Sequence, residues 1–202
     1  MKSIIALSLP LLALASPLPA DVAAAPPAFK INRVVSGGSG CPQGSIDIDY
    51  TNSGILPIYF SRDFTASVGP NVAADQSRKN CQINIDISYS PGYSYSVYSA
   101  DYTGWADIDS GAKGVVKANY YFSGEQNQGS TSLTLQGPFT GKYTKKDDVA
   151  VSVWSPCGQE SMLNVNAEVA LTPLGGSATG TIAAVKETGK FTNQLYIRWR
   201  QC

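Results

Sequence analysis

Cys81-Gln82-Ile83-Asn84-Ile85-Asp86-Ile87-Ser88-Tyr89 is the stretch that decides the fold. Cys81, Ile83, Ile85, Ile87 and Tyr89 point one way, and Gln82, Asn84, Asp86 and Ser88 point the other. A period of two over this length marks a strand with one face in a core and one in water. The same alternation recurs on both sides of it. Leu163, Val165, Ala167, Val169 and Leu171 oppose Asn164, Asn166 and Glu168, while Phe191, Leu195, Ile197 and Trp199 oppose Gln194, Tyr196, Arg198 and Arg200. Ile46-Asp47-Ile48-Asp49-Tyr50 is a shorter copy, and further strands are expected at 29–35, 56–60, 93–99, 102–108, 114–123, 131–137 and 149–154. Pro91-Gly92, Asp109-Ser110-Gly111, Gly175-Gly176 and Thr188-Gly189 read as tight connections, and Ser123 to Gly129 as a longer polar loop. Beyond the first residues no apolar set repeats at helical spacing. The fold class expected is all-β: an antiparallel two-sheet sandwich, jelly-roll-like, of about ten short strands.

Cysteine usage and the N-terminus place the chain in a compartment. Lys2 followed by the apolar run Ile4 to Leu14, with Ala13-Leu14-Ala15 as a small-x-small cleavage signal, reads as a signal peptide over 1–15. Residues 16–28 are Pro/Ala-rich and read as a flexible lead-in, leaving 29–202 as one secreted domain. No stretch approaches the roughly 18–20 apolar residues that a membrane-spanning helix needs. Cys41, Cys81, Cys157 and Cys202 form an even set, which behind a leader reads as two disulfides. Four cysteines allow three pairings. Cys41–Cys81 with Cys157–Cys202 is favoured, because Cys41 and Cys81 each open a strand and Cys202 would tie down the last one. Neither Cys-x-x-Cys spacing nor histidine is present to suggest a metal instead.

Composition narrows the function classes. Lys plus Arg and Asp plus Glu both number 15, so the formal net charge is zero, without the basic excess of a nucleic-acid binder. Only 15% of residues are charged, which removes long-range steering of a partner. The absence of histidine excludes Ser-His-Asp and Cys-His apparatus. No cofactor motif stands out.

Several phrases in order carry a family resemblance. They are Gly40-Cys41-Pro42-Gln43-Gly44-Ser45, Arg78-Lys79-Asn80-Cys81-Gln82-Ile83, Ser90-Pro91-Gly92-Tyr93, Tyr102 to Gly111, Tyr120-Tyr121-Phe122-Ser123-Gly124 and Trp154-Ser155-Pro156-Cys157-Gly158. Together they resemble DUF4360, a family of small secreted proteins of unknown function common in filamentous fungi. The resemblance implies a secreted, disulfide-bonded protein and supplies no catalytic residues.

Two constellations remain as candidate sites. Asp107 and Asp109 stand at strand spacing, about 6–7 Å apart, within the range of a glycosidase carboxylate pair. Asp47 and Asp49 share that spacing, and solvent-facing alternation explains both pairs without chemistry. Asp147-Asp148 read as a turn after Lys145-Lys146. Tyr89, Tyr93, Tyr95, Tyr98, Tyr102 and Trp105 crowd the middle third, where exposed rings would stack on sugars and buried ones would simply fill the core. Tyr98, Tyr102, Trp105, Asp107 and Asp109 are therefore the candidate ligand surface. Tyr196, Arg198 and Arg200 on the last strand are a second patch, or else protection of an edge. The function expected is non-catalytic extracellular binding, of a cell-wall polysaccharide or an extracellular protein. The alternatives are a carboxylate-dependent hydrolase and a purely structural wall or matrix protein.

Overall fold

The computed structural model describes residues 29–50, 54–184 and 191–202, so the expected leader at 1–15, the lead-in at 16–28 and the Thr188-Gly189 turn lie outside the described residues. Eleven strands follow in order: β1 (Phe29–Gly37), β2 (Ile46–Ile48), β3 (Ile55–Phe60), β4 (Ala66–Val68), β5 (Arg78–Ile108), β6 (Ala112–Phe122), β7 (Gln128–Gln136), β8 (Phe139–Trp154), β9 (Gly158–Pro173), β10 (Gly180–Ala184) and β11 (Thr192–Gln201). One 3-10 turn at Ala74–Ser77 precedes β5. Every pairing is antiparallel.

The expected tight connection at Pro91-Gly92 is corrected by the structure. β5 runs unbroken for 31 residues and takes in three of the strands expected separately. Its first half, Arg78 to Tyr89, lies between β1 and β9, and β6 and β7 complete that layer. Its second half, Tyr93 to Ile108, lies between β8 on one side and β11 with β10 on the other; β3, β2 and β4 complete the second layer. Pro91 has no N–H to give a ladder, and Gly92 sits at φ +79, a conformation that side chains other than glycine resist. The ladder therefore breaks without a reversal, and the strand passes from one layer into the other. The two faces it joins make a β-sandwich.

The core fills from both layers. Ile83, Ile85 and Ile87 of β5 and Leu163, Val165 and Val169 of β9 are fully or almost fully buried. They face Leu56, Ile58 and Phe60 of β3 and Leu195 of β11 in the opposite layer. Aromatic rings bridge the interior: Tyr95 meets Phe122 edge-on at 5.0 Å, and Trp199 packs against Tyr95 at 5.1 Å and Tyr89 at 5.5 Å. Gly104 is required where β5 passes Tyr143, since a Cβ there would run into the buried Tyr143 ring and hydroxyl. Burial also pushes the Tyr143 hydroxyl well above the ordinary tyrosine range.

Both disulfides take the favoured pairing. Cys41–Cys81 spans 5.3 Å between Cα atoms and fastens the loop after β1 to the start of β5. Cys157–Cys202 spans 6.0 Å and fastens the end of β11 to the β8–β9 connection. Each closes a chain loop of 40 and 45 residues respectively, a constraint worth roughly 4 kcal/mol in the chain-entropy account.

Other elements differ from expectation for local reasons. β8 begins ten residues before the expected 149, because Thr140, Lys142, Lys145 and Lys146 give it no apolar alternation. Asp147 and Asp148 belong to it, not to a turn: the ladder with β5 holds them opposite Ala100 and Ser99. β5 flanks β11 along its length, whereas the ladder of β11 with β3 ends at Tyr196, so Arg198 and Arg200 lie beyond that pairing.

On the outer face of the first layer, Glu168 receives Arg78 Nε at 2.6 Å and Lys117 Nζ at 2.9 Å. Partial burial works to raise the Glu168 pKa, but the hydrogen bonds from Arg78 and Lys117 outweigh it and hold the carboxyl below its ordinary value of 4.5. A depressed folded value means that this contribution to stability is complete above about pH 4.5 and is lost as pH falls through the lower folded value. Urea titrations from pH 6 to pH 2.5 should therefore show a loss of stability on acidification that is shallower in Glu168→Gln than in the parent.

Candidate functional site

The five candidate surface residues do not share a cleft. Tyr98 is exposed, at 39% of its full surface. Tyr102 is only 1% exposed, and its place on the candidate surface is corrected. Its hydroxyl lies 2.6 Å from that of Tyr120 and bonds Thr131 as well, and Asn193 Nδ2 donates to Tyr120 at 3.0 Å. These groups form a polar knot between the layers. Trp105 is half-buried on the outer face of the second layer, opposite Lys142 of β8. Seven positions separate it from Tyr98, which at about 3.3 Å per residue is roughly 20 Å along β5.

Asp107 and Asp109 are turned to different neighbours. Thr140 Oγ1 donates to Asp107 at 2.7 Å from the β8 side. Thr179 donates to Asp109 from both its hydroxyl, at 2.5 Å, and its backbone N–H, at 3.2 Å, on the β10 side. Asp109 also shapes a turn, as Ala112 N–H donates to its carbonyl at 3.2 Å. Beside it Ser110, Gly111 and Gly175 to Ala178 line an open depression of about 580 Å³. No group of three His, Cys, Asp or Glu side chains is placed to hold a metal among the described residues.

A bulge explains the split of the tyrosines. Tyr95 and Val97 face the core, then Tyr98 is an extra residue in the ladder with β11, at a point where the register with β8 also shifts, and Ala100 and Tyr102 face the core after it. One inserted residue exchanges the two faces. Tyr98 is thus held outward at the point where Tyr196 of β11 arrives, with ring centroids 6.2 Å apart. Tyr196 donates to Asp101 Oδ2 at 2.9 Å, and that hydrogen bond, with some burial, raises the Tyr196 pKa.

From Tyr98 a run of alternating rings and cations crosses the outer face of the second layer. The Arg198 guanidinium lies 5.8 Å from the Tyr98 ring and 5.2 Å from the Trp154 ring. Arg200 follows at 4.1 Å from Trp154. Trp154 and Arg198 stand on strands to either side of Ser96 and meet above it. Ser94 and Ser96 are buried beneath, their small side chains leaving room for the stack. Such contacts are worth about 0.5–1 kcal/mol each at exposed sites.

The stack is anchored from below and at its end. Ser155, next to Trp154, is tied to β5 by several bonds: its N–H donates to Tyr95 O at 2.8 Å, Ser94 Oγ donates to its carbonyl at 2.7 Å, and Tyr95 N–H at 2.9 Å and the Tyr89 hydroxyl at 3.2 Å donate to its Oγ. The Cys157–Cys202 disulfide lies three residues past Trp154 and two past Arg200. The second patch from the sequence, Tyr196 with Arg198 and Arg200, thus joins Tyr98, while Trp154 and Asp101 were missed. For Trp154 a signal exists, since it alternates with the inward Val153 at the end of an apolar run.

A family profile described as a domain of unknown function, DUF4360, matches residues 27–202. The chain belongs to the DUF4360 family. A curated relative, named an uncharacterized secreted protein of Arthroderma benhamiae (strain ATCC MYA-4681 / CBS 112371), is 37% identical over 179 residues, 88% of this chain and 73% of the relative. Solved structures similar to this DUF4360 chain include a TmCBM61 complex with β-1,4-galactotriose, at 9% identity and TM-score 0.30, covering 86% of this chain and 91% of that one. Another is CBM28, a carbohydrate-binding module specific for non-crystalline cellulose, at 14% identity and TM-score 0.31, covering 84% and 88%. Overlap this loose says nothing of what the DUF4360 chain binds.

The Tyr102 knot yields a prediction. Tyr102→Phe leaves Thr131 and Tyr120 short of a buried partner, so it should cost about 1–3 kcal/mol in urea unfolding. A surface role for Tyr102 would instead leave stability unchanged.

Proposed function

We propose that this protein is a non-catalytic extracellular binding protein that holds a polysaccharide, such as one of a cell wall, against the outer face of its second layer. The observation that carries the reading is the outward run Tyr196–Tyr98–Arg198–Trp154–Arg200 on strands that cannot move independently. Sugar rings pack their CH faces on aromatic rings while polar groups bond their hydroxyls. The polar partners are close by on the same face: Thr103 and Thr144 hydroxyls lie 3.3 Å apart, and Thr103 and Asp101 pair with Thr192 and Gln194 of β11.

Rigidity favours binding. Ordering a side chain on association costs about 0.5–1.5 kcal/mol, and rings already fixed in a stack escape much of that cost. Two disulfides support the extracellular setting, since such bonds persist in oxidising compartments. The secreted relative agrees with it. The opposed hydrogen bonding of Asp107 and Asp109 supports binding over carboxylate-pair hydrolysis.

Co-sedimentation with insoluble chitin, cellulose, β-glucan and pectin tests the reading. Retention by at least one polymer is expected. Tyr98→Ala should weaken it on the order of tenfold with melting temperature unchanged, as loss of one stacking ring is worth about 0.5–1.5 kcal/mol beyond its area. Full retention in the Tyr98→Ala and Trp154→Ala proteins would move the site elsewhere. Absence of retention on every polymer would remove polysaccharide binding and leave the structural-protein alternative.

A further inference from the structure

We propose a second binding site, for a neutral glycan, on the outer face of the first layer; it shares no residue with the ring–cation face and stands or falls apart from it. Register builds the site. Ser130 of β7 pairs with Asn119 of β6, Asn119 with Asn166 of β9, and Asn166 with Gln82 of β5. Asn119 alternates with buried Ala118 and Tyr120, Asn166 with Val165 and Ala167, and Gln82 with Cys81 and Ile83. Three amides and a hydroxyl therefore stand in one outward row across four strands. Neighbouring strands lie about 4.8 Å apart, so the row runs for about 14 Å, a length that a short oligosaccharide covers. Gly37 of β1 follows Gln82 in register, and a Cβ there would meet nothing within 4 Å. Ser130, at the other end, is exposed on the outermost strand of the layer. The row is thus open to a polymer that runs across the strands.

Hydrogen bonding sets this row apart from the rows beside it. On one side Asn84 Nδ2 donates to Asn164 Oδ1, and Asn164 Nδ2 donates to Ser123 Oγ at 3.0 Å, with Asn164 only 3% exposed. On the other side Glu168 is satisfied by Arg78 and Lys117. Between them the side chains of Asn119, Asn166 and Gln82 make no hydrogen bond among the described residues, and Gln82 Nε2 is screened from solvent as well. A buried donor without a partner is costly, and Gln82 gives up no internal bond when its amide turns to a ligand. Each amide carries a carbonyl acceptor and two N–H donors, so the row meets sugar hydroxyls in either role. Tyr121 supplies a ring. It lies two residues past Asn119 on β6, opposite Asn164, and is half-buried, with neither a ring contact nor a hydroxyl bond among the described residues. The CH face of a sugar packs on such a ring while the amides take its hydroxyls. The row holds no charged side chain, so the ligand it matches is neutral. A second copy of the chain fits less well, because a stable interface buries about 800 Å² per partner around an apolar centre, and this row offers amides around one ring.

NMR titration of the isotope-labelled protein with cellohexaose, chitohexaose, laminarihexaose and mannohexaose tests the proposal through the side-chain amide signals. At least one probe should shift the signals of Gln82, Asn119 and Asn166. Asn119→Ala/Asn166→Ala should weaken that binding about tenfold or more, as loss of two hydrogen bonds to a ligand would. Its melting temperature should stay as in the parent, because neither amide is bonded within the protein. Tyr121→Ala should weaken binding to a similar degree. If a variant misfolds, the amide shifts of the unaltered protein decide alone. Shifts confined to the surroundings of Tyr98 and Trp154 overturn the proposal and keep the ring–cation reading. Shifts of the amide row that persist in Trp154→Ala support it, whatever becomes of that reading. Parent affinity in the double variant overturns it. Amide shifts on concentrating the protein without sugar, with a doubled mass in ultracentrifugation, overturn it in favour of a second copy. Absence of amide shifts with every probe overturns it as well.

Discussion

Residues Arg78 to Ile108 form one strand that both layers share, and the ladders on its two sides set where the other elements lie. The first half contributes Ile83, Ile85 and Ile87 to the core from one side. The second half contributes Tyr95, Val97, Ala100 and Tyr102 from the other. A strand that crosses the sandwich in this way makes the two layers mechanically one body. Shearing the layers would mean breaking its ladders as well as parting the core. The Tyr102–Tyr120 and Thr131 hydrogen bonds add a directional tie in the middle, where hydrophobic contact alone would tolerate sliding.

That single body gives the outer face its character. Rings and guanidinium groups on three strands, β8, β5 and β11, keep fixed mutual distances only because β5 pairs with both neighbours along this stretch. The Cys157–Cys202 bridge then fastens the far end of β11 to the β8–β9 connection. The fastening of Ser155 to Ser94 and Tyr95 does the same for the end of β8. A surface built this way suits recognition without rearrangement. Asp107 and Asp109 lie further along β5 and are held by different neighbours, Thr140 and Thr179.

Much of the fold was legible because alternation is a local property. The β9 and β11 patterns and the Cys81–Tyr89 pattern each hold over at least nine residues and correspond to real buried faces. β8 was only half legible, because its first half carries threonines and lysines on one side and Gly141, Tyr143 and Lys145 on the other. β4 and β10, with 3 and 5 residues, are too short to show a period. The candidate site was legible in pieces. Tyr98 and the Tyr196–Arg198–Arg200 set were visible as separate features, and Tyr102 was placed on the wrong face. Its parity matches that of Tyr98, and the bulge that separates them exists only in the pairing of β5 with its neighbours.

The amino-acid sequence by itself determined the all-β class, the pairing of apolar faces and the two covalent ties, because side-chain period and cysteine chemistry are carried by residues close together in the chain or by their count. Only the tertiary structure decided that Pro91-Gly92 is a crossing between layers and not a reversal. The same holds for the facing of Tyr98 and Tyr102 and for the meeting of Trp154 with Arg198 and Arg200. In each case the outcome depends on which strands lie alongside β5: a ladder's register is a relation between distant segments, and no single segment contains it.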